Sequence, residues 1–369
     1  MKVWINAGEL SGDLQSAMLL KALQRRCSEI ESVGMGGPAL AAAGMRCLLR
    51  SESLSVMGVA EVFAVIPRAF SLLRSIKKHM AAEKPDAVVV TDAPDFNFFV
   101  VRIARRLGIP VYYFIPPKVW AHRAGRIRFL KSNARRIFAI LPFEERYYAE
   151  HGASAEYYGN PLVDAVDPDA LDEIGPVPGR IGIMPGSRRK EVERLLPVFS
   201  EMAGLLHERH PGLEFRIFRS ANFTEDYLRR FWKADVPTVF QDPEGRYAAM
   251  ASCECLAAAS GTATLETALA GVPTLVAYKL SPLSYRIGLK VVKVKWISLT
   301  NLILNKTAFP EYIQHEAESY RMAWRLLSWL DDPEKMAAVR ADCAECRRLC
   351  GEKGSADRVA ARILEDFGL

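Results

Sequence analysis

The first half of the chain alternates short apolar, β-branched runs with longer amphipathic stretches. Residues 2–7, 32–36, 87–91, 111–115, 136–141 and 156–158 read as strands. Several are continuous apolar runs, the pattern of parallel strands covered on both faces. Residues 14–26 read as a helix, and helical stretches separate most of the strands, so a βαβ sheet follows. Residues 164–179 change character, with Pro, Gly and acidic residues dominating, and read as a linker. A second series then begins, with strands at 180–184, 214–218, 238–240, 255–258 and 274–277 and helices at 190–209, 224–233, 245–251 and 262–270. From residue 319 onward the pattern is helical. It predicts an α/β fold of two Rossmann-like, doubly wound domains with a cleft between them: residues 1–163, a linker at 164–179, residues 180–340, and closing helices over 341–369. In such sheets ligands bind at the carboxyl ends of the strands, so the polar loops that follow strands are where chemistry is sought.

A length of 369 residues fits two domains. No apolar run approaches the roughly 18 residues that a spanning helix needs. Met1-Lys2-Val3-Trp4-Ile5 enters a strand directly, without the features of a signal peptide, so a cytoplasmic location is expected. The seven cysteines are scattered and expected to be reduced. Cys343, Cys346 and Cys350 fall on one helical face and read as buried rather than metal-binding. Charge narrows the partners. From Phe98 to Phe143 there is no Asp or Glu, while Arg102, Arg105, Arg106, Lys118, Arg123, Arg126, Arg128, Lys131, Arg135 and Arg136 all lie in that stretch. Such a one-sign field favours an anionic partner, whether phosphate, anionic lipid or nucleic acid.

Five loops carry the candidate chemistry. Ala7-Gly8-Glu9-Leu10-Ser11-Gly12-Asp13 turns from the first strand into a helix, with two glycines that let the backbone approach a ligand. Its spacing is not that of the dinucleotide fingerprint, and Ser11 or Asp13 also suits a helix cap. Thr91-Asp92-Ala93-Pro94-Asp95-Phe96-Asn97 places two carboxylates after a Val-rich strand. Either Asp92 or Asp95 is a candidate for the base that takes a hydroxyl proton, and Asp92 has the weaker structural excuse. Met184-Pro185-Gly186-Ser187-Arg188-Arg189-Lys190 combines a helix start with real positive charge, where Gly186, Ser187 and Arg188 suit a diphosphate. Ala259-Ser260-Gly261-Thr262-Ala263-Thr264-Leu265-Glu266 offers small hydroxylated residues for phosphate, with Glu266 one turn on for a ribose diol. Asn301 sits inside an apolar run and needs a partner, either substrate or backbone. A strongly apolar segment from Val56 to Phe70, followed by Arg74, Lys77 and Lys78, reads as a surface that lies on a membrane interface or as an internal helix.

Taken in order, these loops resemble those of the lipid-A-disaccharide synthase family. The matching elements are 7–13, Val56-Met57-Gly58, 92–97, Val119-Trp120-Ala121, Leu141-Pro142-Phe143-Glu144, Pro185-Gly186-Ser187-Arg188, 260–266 and Asn301-Leu302. The resemblance implies an inverting glycosyltransferase of GT-B arrangement. Its donor would be UDP-2,3-diacylglucosamine, its acceptor 2,3-diacylglucosamine 1-phosphate (lipid X), and its product a β-1,6-linked disaccharide 1-phosphate, with no metal or other cofactor and no nucleic acid. It implies peripheral contact with the anionic inner face of the cytoplasmic membrane, and dimers formed by exchange of C-terminal segments. By position, Asp92 matches the general base, Arg188 and Asn301 two residues needed for activity, and Glu9, Ser11 and Asp13 the acceptor side. Ser260, Gly261, Thr262 and Glu266 match the nucleotide side. GT-B relatives return their last helix to the first domain, so 359–367 is expected to do the same. The chain departs from the family at Lys118, His122, Asn160 and Thr300, where many members carry Ser, Trp, His and Pro. The alternatives are another UDP-GlcNAc-type GT-B enzyme and a non-catalytic protein that binds anionic lipid.

Overall fold

Continuous apolar strands fold into two all-parallel sheets, and helices cover their faces. The structure, a computed structural model, describes residues 1–8, 10–50, 62–121, 124–282, 285–286 and 294–369. It divides into two compact units: Met1–Pro161 with Glu352–Leu369, and Leu162–Gly351. None of the described helices is long and apolar enough to cross a membrane.

The first unit holds β1 (Lys2–Ala7), β2 (Glu31–Gly36), β3 (Arg46–Arg50), β4 (Ala87–Thr91), β5 (Val111–Phe114), β6 (Arg136–Ala139) and β7 (Glu156–Tyr157). Their order is β3-β2-β1-β4-β5-β6-β7, every pair parallel. The direction of strand addition reverses between β1 and β4. The loops after Ala7 and Thr91 therefore flank the sheet's switch point, the crevice where ligands settle in doubly wound sheets.

One face of this sheet is closed by the end of the chain. In the helix Ser355–Glu365, Ala356, Val359, Ala360, Ile363 and Leu364 are buried with Leu19, Leu20 and Leu23 of the helix Leu10–Arg26. The other face is covered by helices that include Val62–Glu83, whose Ile76 and Met80 are fully buried. Residues 56–61 of the apolar segment lie outside the described residues. The described remainder divides: Ile76 joins the core, whereas Phe70 is 58% exposed.

The second unit holds β8 (Arg180–Met184), β9 (Glu214–Phe218), β10 (Thr238–Gln241), β11 (Cys255–Ala259), β12 (Thr274–Tyr278) and β13 (Glu311–Ile313), in the order β10-β9-β8-β11-β12-β13. Its switch point lies between β8 and β11, so the loops after Met184 and Ala259 are its crevice loops. Cys343, Cys346 and Cys350 are fully buried on the helix Pro333–Cys350. The stretch read as a linker contains two short helices, Leu162–Val166 and Pro168–Leu171. Asp167 caps the second and Pro168 occupies its first position, so the same residues that break one helix begin the next.

Candidate functional site

At the switch point of the first sheet the backbone is strained. β4 ends at Thr91, and the next two residues, Asp92 and Ala93, have φ of +58° and +38°. Neither is glycine, and each such residue costs about 1–2 kcal/mol. Conformations of this kind persist only where the surroundings over-determine them, and they cluster at functional sites. Asp92 itself is half-buried.

Three groups hold this turn. Asn97 Nδ2 donates to the carbonyls of Thr91 (3.0 Å) and Asp92 (2.7 Å). Asn6 Nδ2, fully buried on β1, donates to Asn97 Oδ1 at 2.8 Å. The Tyr113 hydroxyl reaches the Asp92 carbonyl at 3.4 Å, and burial pushes that phenol well above its ordinary pKa, so it remains a donor. Gly12 packs beneath: a Cβ built there would stand 3.2 Å from Asp92 Cβ. Asp95, by contrast, is 77% exposed and pairs with Arg126, whose guanidinium lies over the Phe98 ring.

The rest of the acceptor-side expectation divides. Glu9 and His122 lie outside the described residues. Ser11 is helical, and its side chain is not described. Asp13 is corrected: it is 1% exposed and accepts from the backbone N–H of Gly37 (2.6 Å) and Ala39 (2.8 Å), so it braces the helix Pro38–Ala42 and faces no substrate. Two further motifs meet each other. Trp120 Nε1 donates to Glu144 Oε1 at 2.8 Å, and Glu144 Oε2 accepts from Ile140 and Leu141 N–H. Burial raises the Glu144 pKa against those bonds. Asn160 donates to the Ile140 carbonyl at 2.8 Å and ties the same corner.

In the second unit the loop after β8 is already capped. Glu191 Oε2 accepts from Ser187 N–H (3.1 Å) and Arg188 N–H (3.2 Å), and Glu191 Oε1 takes the Arg188 guanidinium at 2.9 Å. The backbone groups expected to meet a phosphate thus serve the chain's own carboxylate. Gly186 has φ +108°, and a Cβ there would meet Glu191 Oε2 at 2.6 Å, so glycine is required on both counts. What faces solvent is the Arg188 side chain, 78% exposed. An exposed pair of this sort is worth about 0–1 kcal/mol, so the guanidinium exchanges its partner at little cost.

The loop after β11 leaves Gly261 and Thr262 exposed, with open space beside the Gly261 Cα. Ser260 Oγ donates to the Ile297 carbonyl at 3.0 Å. Glu266, expected to meet a ribose, is 7% exposed and accepts from Arg246 (2.5 Å) and the Tyr247 hydroxyl (3.3 Å).

Asn301 is corrected. It is fully buried, and its amide is saturated: Nδ2 donates to the Phe309 carbonyl (2.7 Å) and Glu311 (2.9 Å), while Oδ1 accepts from Ala308 and Phe309 N–H. Four bonds exhaust an amide, so this residue shapes the loop and offers nothing to a ligand. Thr300 donates to the Thr264 carbonyl at 2.7 Å and fastens the fifth loop to the fourth.

Sequence reasoning passed over Asn6, Tyr113 and Glu191. Asn6 carried a signal: it is the polar residue inside the apolar run of β1, the same cue that drew attention to Asn301.

Comparison with known proteins adds an independent line. The family model described as lipid-A-disaccharide synthetase (LpxB) matches residues 3–363. The lipid-A-disaccharide synthase of Geobacter metallireducens is 36% identical over 374 residues, spanning 100% of this chain and 97% of its own. That of Neisseria meningitidis serogroup C is 34% identical over 375 residues, spanning 99% and 97%. Among solved structures, the UDP-GlcNAc 2-epimerase of N. meningitidis bound to UDP-GlcNAc aligns with a TM-score of 0.65 at 13% identity, over 100% of this chain and 99% of that one. A glycotransferase of kitacinnamycin aligns at 0.67 and 13%, over 98% and 97%. At such identities these two speak for the fold alone.

Proposed function

This chain belongs to the lipid-A-disaccharide synthetase family, glycosyltransferases of lipid A biosynthesis, and from that premise we propose how its residues divide the work. The donor is UDP-2,3-diacylglucosamine and the acceptor lipid X. The acceptor's 6-hydroxyl oxygen attacks the anomeric carbon of the donor, the bond from that carbon to the diphosphate breaks, and UDP departs with the electron pair. Asp92 takes the hydroxyl proton. One in-line displacement on an α-linked donor inverts the anomeric centre and gives the β-1,6 linkage.

Asp92 is preferred over Asp95 on one observation: it alone sits half-buried at the switch point in a strained turn, while Asp95 is exposed and paired to Arg126. Arg188 exchanges Glu191 for the diphosphate of UDP and offsets the charge that builds on the leaving group. The exposed start of the helix at Gly261 and Thr262 supplies further contacts on the nucleotide side. The first unit rests on the anionic inner face of the cytoplasmic membrane through exposed Phe70 and Phe99, together with Arg102, Arg105 and Arg106, so that acylated substrates are taken from the bilayer.

Release of UDP that depends on lipid X tests this reading. Asp92→Asn is expected to lower turnover by about 100-fold or more, the scale of general-base catalysis, with UDP affinity unchanged. Arg188→Ala is expected to weaken UDP binding in calorimetry. Near-normal turnover in Asp92→Asn removes Asp92 as the base. UDP-GlcNAc turnover with no acceptor present would instead reveal an epimerase.

A further inference from the structure

A carboxylate serves as a base only if its Cβ points at the proton it takes. For Asp92 that direction is set by the two peptide planes on either side of its Cα. One plane carries the Thr91 carbonyl and the other the Asp92 carbonyl. Both carbonyls accept from the same amide nitrogen, Asn97 Nδ2, at 3.0 and 2.7 Å. One side chain therefore fixes φ and ψ of Asp92 together.

The choice of residue is narrow. A hydroxyl has one hydrogen and holds one carbonyl. An aspartate would turn oxygen toward oxygen. Glutamine carries one methylene too many for the reach from this position. Asn97 lies in the first turn of the helix Pro94–Arg106, yet its amide is spent on the turn and not on the helix: the position before Pro94 is Ala93, which makes no side-chain cap. The amide's orientation is set in turn. Asn6 Nδ2 donates to Asn97 Oδ1 at 2.8 Å, which leaves the Asn97 nitrogen facing the two carbonyls. Both asparagines are fully buried, so a rotated amide would find no water to replace these bonds. Asn6 Oδ1 has no hydrogen-bond partner among the described residues, so it is the donor end of Asn6 that the site uses.

We propose that Asn97, oriented by Asn6, is a positioning residue that sets the Asp92 carboxylate for proton transfer, an assignment that rests on Asp92 being the base. Asn97 touches neither substrate; it acts through Asp92.

The experiment uses the full-length enzyme with lipid X and donor, and compares Asn97→Ala, Asp92→Asn and the double variant. Asn97→Ala is expected to lower kcat by about 100-fold, the cost of a misplaced reacting group, with the UDP dissociation constant within about two-fold of wild type. The double variant is expected to be no slower than Asp92→Asn alone, because a positioning residue has nothing left to position. A folded Asn97→Ala enzyme within about three-fold of wild-type kcat overturns the proposal. So does a double variant whose loss is the product of the two single losses, since damage from general destabilisation adds to the loss of a base. If Asn97→Ala does not fold, Asn6→Ala carries the test: it is expected to lower kcat about 10-fold with UDP affinity kept, and wild-type kcat there overturns the proposal. An Asp92→Asn enzyme that retains turnover sinks the base itself. An inactive Asp92→Asn beside an unimpaired Asn97→Ala sinks only the role given to Asn97.

Discussion

Gly12 shows how closely residue type and catalysis are bound at single positions. It lies within the helix Leu10–Arg26, where alanine would stabilise by about 1 kcal/mol. Its missing Cβ is also what lets Asp92 Cβ lie where it does, since an added carbon would stand 3.2 Å away. Gly12→Ala is therefore expected to keep or raise the melting temperature while lowering kcat about 10-fold, through a shift of a few tenths of an ångström in the base. Equal activity in the alanine variant would show that Asp92 has room to spare. At this scale the sequence tells which residues need partners and not which partners they find. Asn301 and Asn6 are the same cue, a polar residue in an apolar run, yet one closes on its own loop and the other reaches the turn that holds Asp92. Asp13 and Glu266 likewise read as ligand groups because they are acids in crevice loops. Each turns out to satisfy donors of its own chain, and those donors come from Gly37 and Arg246, at sequence distances that no local pattern reports.

Elements were legible where burial is two-sided. The core strands of both sheets follow their apolar runs to within a residue or two. β3 and β13 were not read, and both are short edge strands whose residues are half-buried or exposed, so no continuous run marks them. The last helix matters most among the elements. Beyond its apolar face it is latched by Asp366, which takes Arg136 through two bonds (2.7 and 2.6 Å), Arg135 Nε (3.0 Å) and the Tyr112 hydroxyl (3.0 Å). The Arg136 guanidinium holds the Asp366 carboxyl down to about 2. Because that lies below the ordinary value of about 3.9, the latch stabilises the fold fully above that value and is lost as pH falls through about 2. Asp366→Asn is expected to cost roughly 2–3 kcal/mol at neutral pH, since it leaves Arg136 without its closest partner. In thermal melts, the gap between variant and wild type should close between pH 4 and pH 2. A gap that stays constant over that range would mean that the charge of Asp366 contributes nothing.

On two neighbouring helices of the first unit, positive charge and apolar exposure coincide. Helix Pro94–Arg106 presents Phe99 (45% exposed) with Arg102, Arg105 and Arg106, none of which has an acidic partner among the described residues, and the neighbouring helix adds Phe70, Arg74, Lys77 and Lys78. Each basic residue near an anionic bilayer contributes about 1 kcal/mol. The protein is therefore expected to float with vesicles that contain anionic phospholipid and to be released by salt. Charge reversal of Arg102 and Arg106 to Glu should weaken that binding by roughly 30-fold or more without changing turnover on detergent-dispersed substrate. Equal flotation with neutral vesicles would exclude an electrostatic attachment.

The order in which the chain is made gives the terminal helix a further meaning. Residues 162–351 close a complete core of their own, while the Rossmann-like half that leaves the ribosome first lacks a covering helix until residues 355–365 emerge. The earliest-made unit is thus the last to finish folding, and a nascent chain that stalls before Ser355 exposes the apolar face of the helix Leu10–Arg26 to chaperones and proteases.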